Sequence, residues 1–125
     1  MFQSGERVEI HLDLSAGKLV HDVVVGIGIF NAEGTCCYGT NTHIEGASAA
    51  EIVGSGQVRF IIESLDLVDG TYKLDVAVHR ENGAPYDYHR LLYTFRVKSR
   101  LKDVGIYRPR HHWEFSGGVK FKRAL

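Results

Sequence analysis

Seven histidines, two cysteines and fifteen acidic residues are the groups from which a metal centre or an acid–base pair would be built in this chain. Their spacing argues against both. His111 and His112 are neighbours, and neighbouring side chains on an extended backbone point to opposite sides, so the pair cannot chelate one ion. Cys36 and Cys37 fail in the same way, and being adjacent they cannot staple distant parts of the chain. His11, His79 and His89 sit in three separate segments, where a shared metal site competes with plain solvent-facing histidines. A glycosidase needs two carboxylates flanking one bond at a defined separation. The candidate pairs, Asp13 with Asp22 and Asp69 with Asp75, include two residues that stand where turns begin, Asp22 and Asp69. There is no G-x-x-x-x-G-K-[ST] loop, and Gly26-Ile27-Gly28 lies in an apolar run with no helix after it, so nothing cradles a phosphate. No G-x-S-x-G elbow is present. No catalytic residue, metal or cofactor is therefore assigned.

What is left for function is a set of polar side chains on outward strand positions. His11, Asp13, Arg59, Asp75 and His79 are the candidate hydrogen-bonding residues, with Arg90, Arg96 and the Tyr86, Tyr88, His89 loop nearby. Gly26 and Gly28 strip one strand face of side chains and let a ligand approach the backbone. Acids, imidazoles and guanidinium groups suit hydroxyls, and planar rings suit C–H faces, so sugars are the ligand class expected. The competing reading is an ordinary solvated sheet face. Fifteen Lys and Arg balance fifteen Asp and Glu, so no global field draws in nucleic acid or anionic lipid, and a neutral partner is favoured.

The elements that position these groups are strands. Val8, Ile10, Leu12 and Leu14 alternate with Glu9, His11 and Asp13, the period-two pattern of a strand with one buried face. Residues 58–62, 72–78 and 91–97 repeat it. Residues 23–30 are apolar on both faces and read as a central strand, followed by the turn chemistry of Asn31 to Gly34 and a returning strand from Thr35. Breaks are expected at residues 15–17, 54–56, 69–70 and 81–85, and only residues 47–52 look helical. Tyr72, just after Gly70-Thr71, is expected to fill the core with its hydroxyl satisfied at an edge. With 125 residues, one core suffices. The fold class is all-β: an immunoglobulin-like antiparallel sandwich over residues 1–116, with a flexible tail over 117–125.

Residues 99–105 read as a connector, and residues 106–115 as a last strand anchored by Ile106, Tyr107, His112, Trp113 and Phe115. A strand set apart by a linker can pair with its own sheet or with that of a second copy, which allows a domain-swapped dimer. Trp113 reads as a core or interface plug. The N-terminus lacks the charge and apolar run of a signal peptide, and no apolar stretch is long enough to span a bilayer. The start lies so close to the first strand that a larger parent protein is expected.

Several motifs in order resemble the C-terminal domain of Wzt-type ATPases, subunits of ABC transporters that export O-antigen polysaccharide. They are Phe2-Gln3-Ser4-Gly5-Glu6, Val25-Gly26-Ile27-Gly28-Ile29 ahead of Asn31 and Gly34, and Gly39-Thr40-Asn41-Thr42. Leu65-Asp66-Leu67 then leads into Gly70-Thr71-Tyr72-Lys73-Leu74, and Tyr86-Asp87 precedes Phe95-Arg96-Val97. Gly105 with His112-Trp113 ends the series. The resemblance implies a non-catalytic sandwich that binds finished polysaccharide in the cytoplasm, at the inner face of the inner membrane, for export. It also implies a homodimer through an exchanged final strand, an upstream ATPase domain and a membrane channel subunit as partners. A dimerisation or adaptor sandwich without sugar binding, and a small glycan-active hydrolase, are the alternatives.

Overall fold

The computed structural model describes residues 1–47 and 51–120, except for the side chains of residues 85 and 87–92. Seven strands are present: β1 (Phe2–Gln3), β2 (Val8–Val20), β3 (Val24–Asn31), β4 (Cys36–Asn41), β5 (Ile52–Ile62), β6 (Gly70–His79) and β7 (Pro85–Lys98). They form a five-stranded sheet in the order β1-β7-β6-β3-β4 and a two-stranded sheet of β2 and β5. All pairings are antiparallel apart from the short β1, which runs parallel to the end of β7. Among the described residues there is no helix, and none long and apolar enough to cross a membrane. The helix expected at residues 47–52 falls partly on 48–50, outside the described residues, and Ile52 already belongs to β5. The tail residues 121–125 are also outside them.

The core lies between the sheets. Ile27 and Ile29 of β3 stand beside Val76 and Leu74 of β6, and with Leu65, Tyr72 and Val97 they form the buried cluster. The alternating apolar residues of the second sheet, Val8, Ile10 and Leu12 against Ile62, Phe60 and Val58, close over it. Tyr72 is 2% exposed, stacks on Phe95 at 5.8 Å, and donates its hydroxyl to the Val68 carbonyl at 2.7 Å, as its position after Gly70-Thr71 predicts. The turn from Asn31 to Thr35 joins β3 to β4, with the Asn31 side chain accepting from the Glu33 and Thr35 amides and Gly34 at φ +86°. Only a residue without Cβ adopts that φ cheaply.

Two expected breaks are not turns. Residues 15–17 and 54–56 continue β2 and β5, where Leu14 pairs with Gly56, Ser15 with Ser55 and Ala16 with Gly54, before a bulge shifts the register towards Val20 and Ile52. Glycine and serine read as turn formers in isolation, but here Ser15 faces Ser55 and Ala16 faces Gly54 across the ladder. The last expected strand is also different. Residues 106–108 pair only through the bridge of Tyr107 to Leu67, with the Val68 amide donating to Ile106 and the Arg108 amide to Asp66. From Pro109 to Lys120 the described chain forms no strand.

Asp69 fixes the exit from β7. Its carboxylate accepts from the Lys102 ammonium at 2.7 Å, the Ser99 amide at 2.9 Å and the Arg96 guanidinium at 2.5 Å. These three donors, the lysine foremost, hold its carboxyl well below the usual carboxylate range.

Candidate functional site

The candidate residues separate onto two opposite faces of the sandwich. On the outer face of the two-stranded sheet, His11 of β2 stands opposite Arg59 of β5, and Asp13 opposite Gln57. The Gln57 amide donates to Asp13 Oδ1 at 3.0 Å. Glu9 precedes them on the same face, 3.0 Å from His11 Nε2 and 2.5 Å from Arg7 Nη1. The bond to His11, followed by that to Arg7, lowers its carboxyl from the ordinary value. The row therefore presents, side by side, a carboxylate, an imidazole, an amide and a guanidinium, all exposed. Such a row can donate to and accept from hydroxyl groups along an extended ligand.

Gly26, Gly28, Asp75 and His79 occupy the outer face of the other sheet, where Gly26 pairs with Ala77, Gly28 with Asp75 and Val24 with His79. The expectation of one shared groove is thus corrected: alternation tells which residues point out, but not from which sheet. The glycine pair is not bare either. A Cβ on Gly28 would stand 3.0 Å from the Phe30 ring, and one on Gly26 would meet Asn41 Cβ at 3.5 Å and the Thr40 carbonyl at 3.6 Å. The neighbouring ring and strand β4 fill the space that the missing side chains leave. Asp75 is 6% exposed, so it is enclosed rather than offered to solvent. His79 Nδ1 lies 2.6 Å from the Arg80 carbonyl.

Residues at one end of the sandwich are tied together by polar contacts, and Tyr86, Tyr88 and His89, expected in a loop, belong to β7. Tyr86 donates its hydroxyl to the His21 carbonyl at 2.9 Å, and the Arg80 guanidinium stands 4.7 Å from its ring centre. The Glu81 amide donates to Asp22 Oδ1 at 2.9 Å, while Asp22 takes a left-handed φ of +58°. His21 pairs with Glu51 at 3.4 Å and His43 with Glu81 at 3.6 Å. Among the described residues, no group of three or more His, Cys, Asp and Glu is placed to hold a metal ion. Cys37 is half-buried, and burial above all raises its thiol from the ordinary value.

At the C-terminal end, Trp113 is 65% and Tyr107 66% exposed, which corrects the reading of Trp113 as a core plug within one chain. Trp113 stacks instead on Phe115, with ring centres 6.4 Å apart, and His112 lies 3.7 Å from Glu114. Sequence reasoning missed Gln57, whose role beside Asp13 appears only once the register of β2 on β5 is known.

The family model of the Wzt C-terminal domain matches residues 1–109. An "O-antigen export system ATP-binding protein RfbB" from Myxococcus xanthus is 29% identical over 114 residues, covering 91% of this chain and 25% of its own length. The chain thus spans a quarter of that relative. A solved structure described as the C-terminal domain of wzt superposes with a TM-score of 0.82 at 19% identity, covering 92% of this chain and 73% of its own. That likeness carries the all-β sandwich fold.

Proposed function

The chain belongs to the Wzt C-terminal domain family, and we propose that it is the polysaccharide-recognition module of an O-antigen exporter. In this reading it is a non-catalytic domain that binds the finished polysaccharide on the cytoplasmic side of the inner membrane and passes it to the channel. ATP hydrolysis belongs to a domain upstream in the full protein, in line with the name of the Myxococcus xanthus relative. The observation that carries the reading, given the family, is the exposed row of His11, Asp13, Gln57 and Arg59, a ladder of donors and acceptors with no metal cluster among the described residues beside it.

A homodimer through exchange of residues 106–115 accompanies this proposal. The exposed Tyr107, Trp113 and Phe115 favour burial against a second copy. Charge does as well: residues 96–125 hold nine of the fifteen Lys and Arg but two of the fifteen Asp and Glu. A basic segment thus leaves an acidic body. Two linked sites raise the avidity of a weak single-site interaction.

The test is calorimetric titration of the purified domain with O-polysaccharide from the strain that encodes it. Hydrogen bonds to charged groups contribute about 1.5 to 3 kcal/mol, less when exposed, so Arg59→Ala is expected to weaken binding by roughly tenfold. Absence of binding by a folded domain overturns the recognition reading. If the dimer survives deletion of residues 106–115, the exchange is overturned.

A further inference from the structure

The outer face of the five-stranded sheet carries an aromatic ring where a solvated sheet carries polar side chains. Phe30 of β3 pairs with Lys73 of β6, and Lys73 pairs with Thr94 of β7. Directly opposed residues share a face. Ile29, Leu74 and Phe95, each the neighbour of one of these three along its strand, face the core, so the row of Phe30, Lys73 and Thr94 points outward. Phe30 is not among the side chains packed against the core, and part of it stays open to solvent.

The ring has a seat. Its Cε2 and Cζ atoms stand 3.0 and 3.7 Å from where a Cβ on Gly28 would be, so it rests there only because position 28 lacks a side chain. Across the ladder from Gly28 lies Gly39, which is exposed. On that side, therefore, two adjacent strands raise no side chain beside the ring.

We infer that Phe30 is a stacking platform for one sugar ring of the polysaccharide, with Lys73 and Thr94 beside it to bind the ring's hydroxyls. This rests on the recognition reading above and adds a contact surface on the sheet opposite the row of His11 and Arg59. The ligand class follows from the chemistry of the three groups. The negative face of an aromatic ring attracts the weakly positive C–H groups of a pyranose. The Lys73 ammonium donates, the Thr94 hydroxyl donates and accepts, and Lys73 makes no ion pair among the described residues. A purely apolar ligand would strip water from the ammonium without replacing its hydrogen bonds, which is costly. An anion gains little from charge alone, because Asp75 follows Lys73 on the same face, opposite Gly28. A hydroxylated ring uses all three groups, and an extended polymer can continue past it over Gly28 and Gly39.

Calorimetric titration of Phe30→Leu and Phe30→Tyr with O-polysaccharide from the encoding strain tests the platform. Leucine keeps an apolar cover on Gly28 without an aromatic face, whereas tyrosine keeps the face. Phe30→Leu is expected to bind roughly three to ten times more weakly than the wild type, and Phe30→Tyr to stay within about twofold of it. Lys73→Met leaves the ring in place and is expected to weaken binding about fivefold. In the isotope-labelled wild type, the amides of Gly28, Phe30, Gly39 and Lys73 are expected to shift on titration. Wild-type affinity in Phe30→Leu, equal losses in Phe30→Leu and Phe30→Tyr, or shifts confined to the β2 and β5 face overturn the platform and leave the recognition reading standing. Thermal unfolding checks that each variant is folded, and if Phe30→Leu is not, wild-type affinity in Lys73→Met overturns the platform instead. No binding by the wild type overturns both readings.

Discussion

Removing the hydroxyl of Tyr72, in Tyr72→Phe, isolates one buried hydrogen bond that ties the start of β6 to the chain just before it. The phenol donates to the Val68 carbonyl at 2.7 Å, and both residues are almost fully enclosed, at 2% and 5% exposure. The phenylalanine ring keeps the stack on Phe95, so packing is conserved and only the carbonyl loses its partner. Leaving a buried acceptor unpaired costs about 1 to 3 kcal/mol. At roughly 4 °C per kcal/mol for a chain of this length, the unfolding temperature is expected to fall by about 4 to 12 °C. Burial also raises the phenol above its ordinary value. The folded state therefore holds its proton longer than the unfolded chain, and stability present below pH about 10 is lost as pH rises beyond it. The phenylalanine variant lacks that contribution, so the stability gap between the two proteins narrows at alkaline pH. Urea unfolding at pH 7 and pH 11 reads both effects. A variant within about 0.3 kcal/mol of the wild type at pH 7 would refute the argument, since buried unpaired carbonyls are costly on any account.

Asp69 gives the opposite sign. Its carboxyl is lowered by Lys102, the Ser99 amide and Arg96, so its stabilisation is present above the ordinary carboxylate value of about 4 and is lost as pH falls below it. Asp69→Asn is expected to destabilise at pH 7, with the gap to the wild type only partly closed at pH 3 because the folded-state carboxyl is still largely ionised there, as read by thermal unfolding at the two values. Gly54 takes a φ of +68°, so Gly54→Ala is expected to cost about 1 to 2 kcal/mol in urea unfolding, although nothing crowds its Cβ position.

Most strands were legible because alternation survives in the sequence wherever one face is buried, as in Val8-Ile10-Leu12 and Tyr72-Leu74-Val76. Strand β1 was not, since two residues cannot display a period. The extension of β2 and β5 through residues 15–17 and 54–56 was hidden because glycine and serine have turn chemistry, and their pairing is a property of two distant segments together. The site was less legible than the fold. Alternation marks His11, Asp13, Arg59, Asp75 and His79 as outward, but sheet membership depends on the long-range order β1-β7-β6-β3-β4 against β2-β5. Outward also does not mean exposed, as Asp75 at 6% exposure demonstrates. Gly26 and Gly28 signal a missing side chain, yet the Phe30 ring and β4 occupy the vacated space. The unfilled glycines lie in β5 instead.

The two-stranded sheet has a consequence for how the molecule opens. A lone pair of strands is marginal in water, so β2 and β5 depend for their order on apolar contacts with the larger sheet, and those contacts thin out beyond Leu14 and Gly56. Local opening follows the thinnest contacts. Amide protons of residues 14–20 and 52–56 should therefore exchange with solvent well before those of β3 and β6, whose residues form most of the buried cluster. The segment that yields first also carries the register shift between Ala16 and Val20, so it can open without disturbing the ladder between β3 and β6.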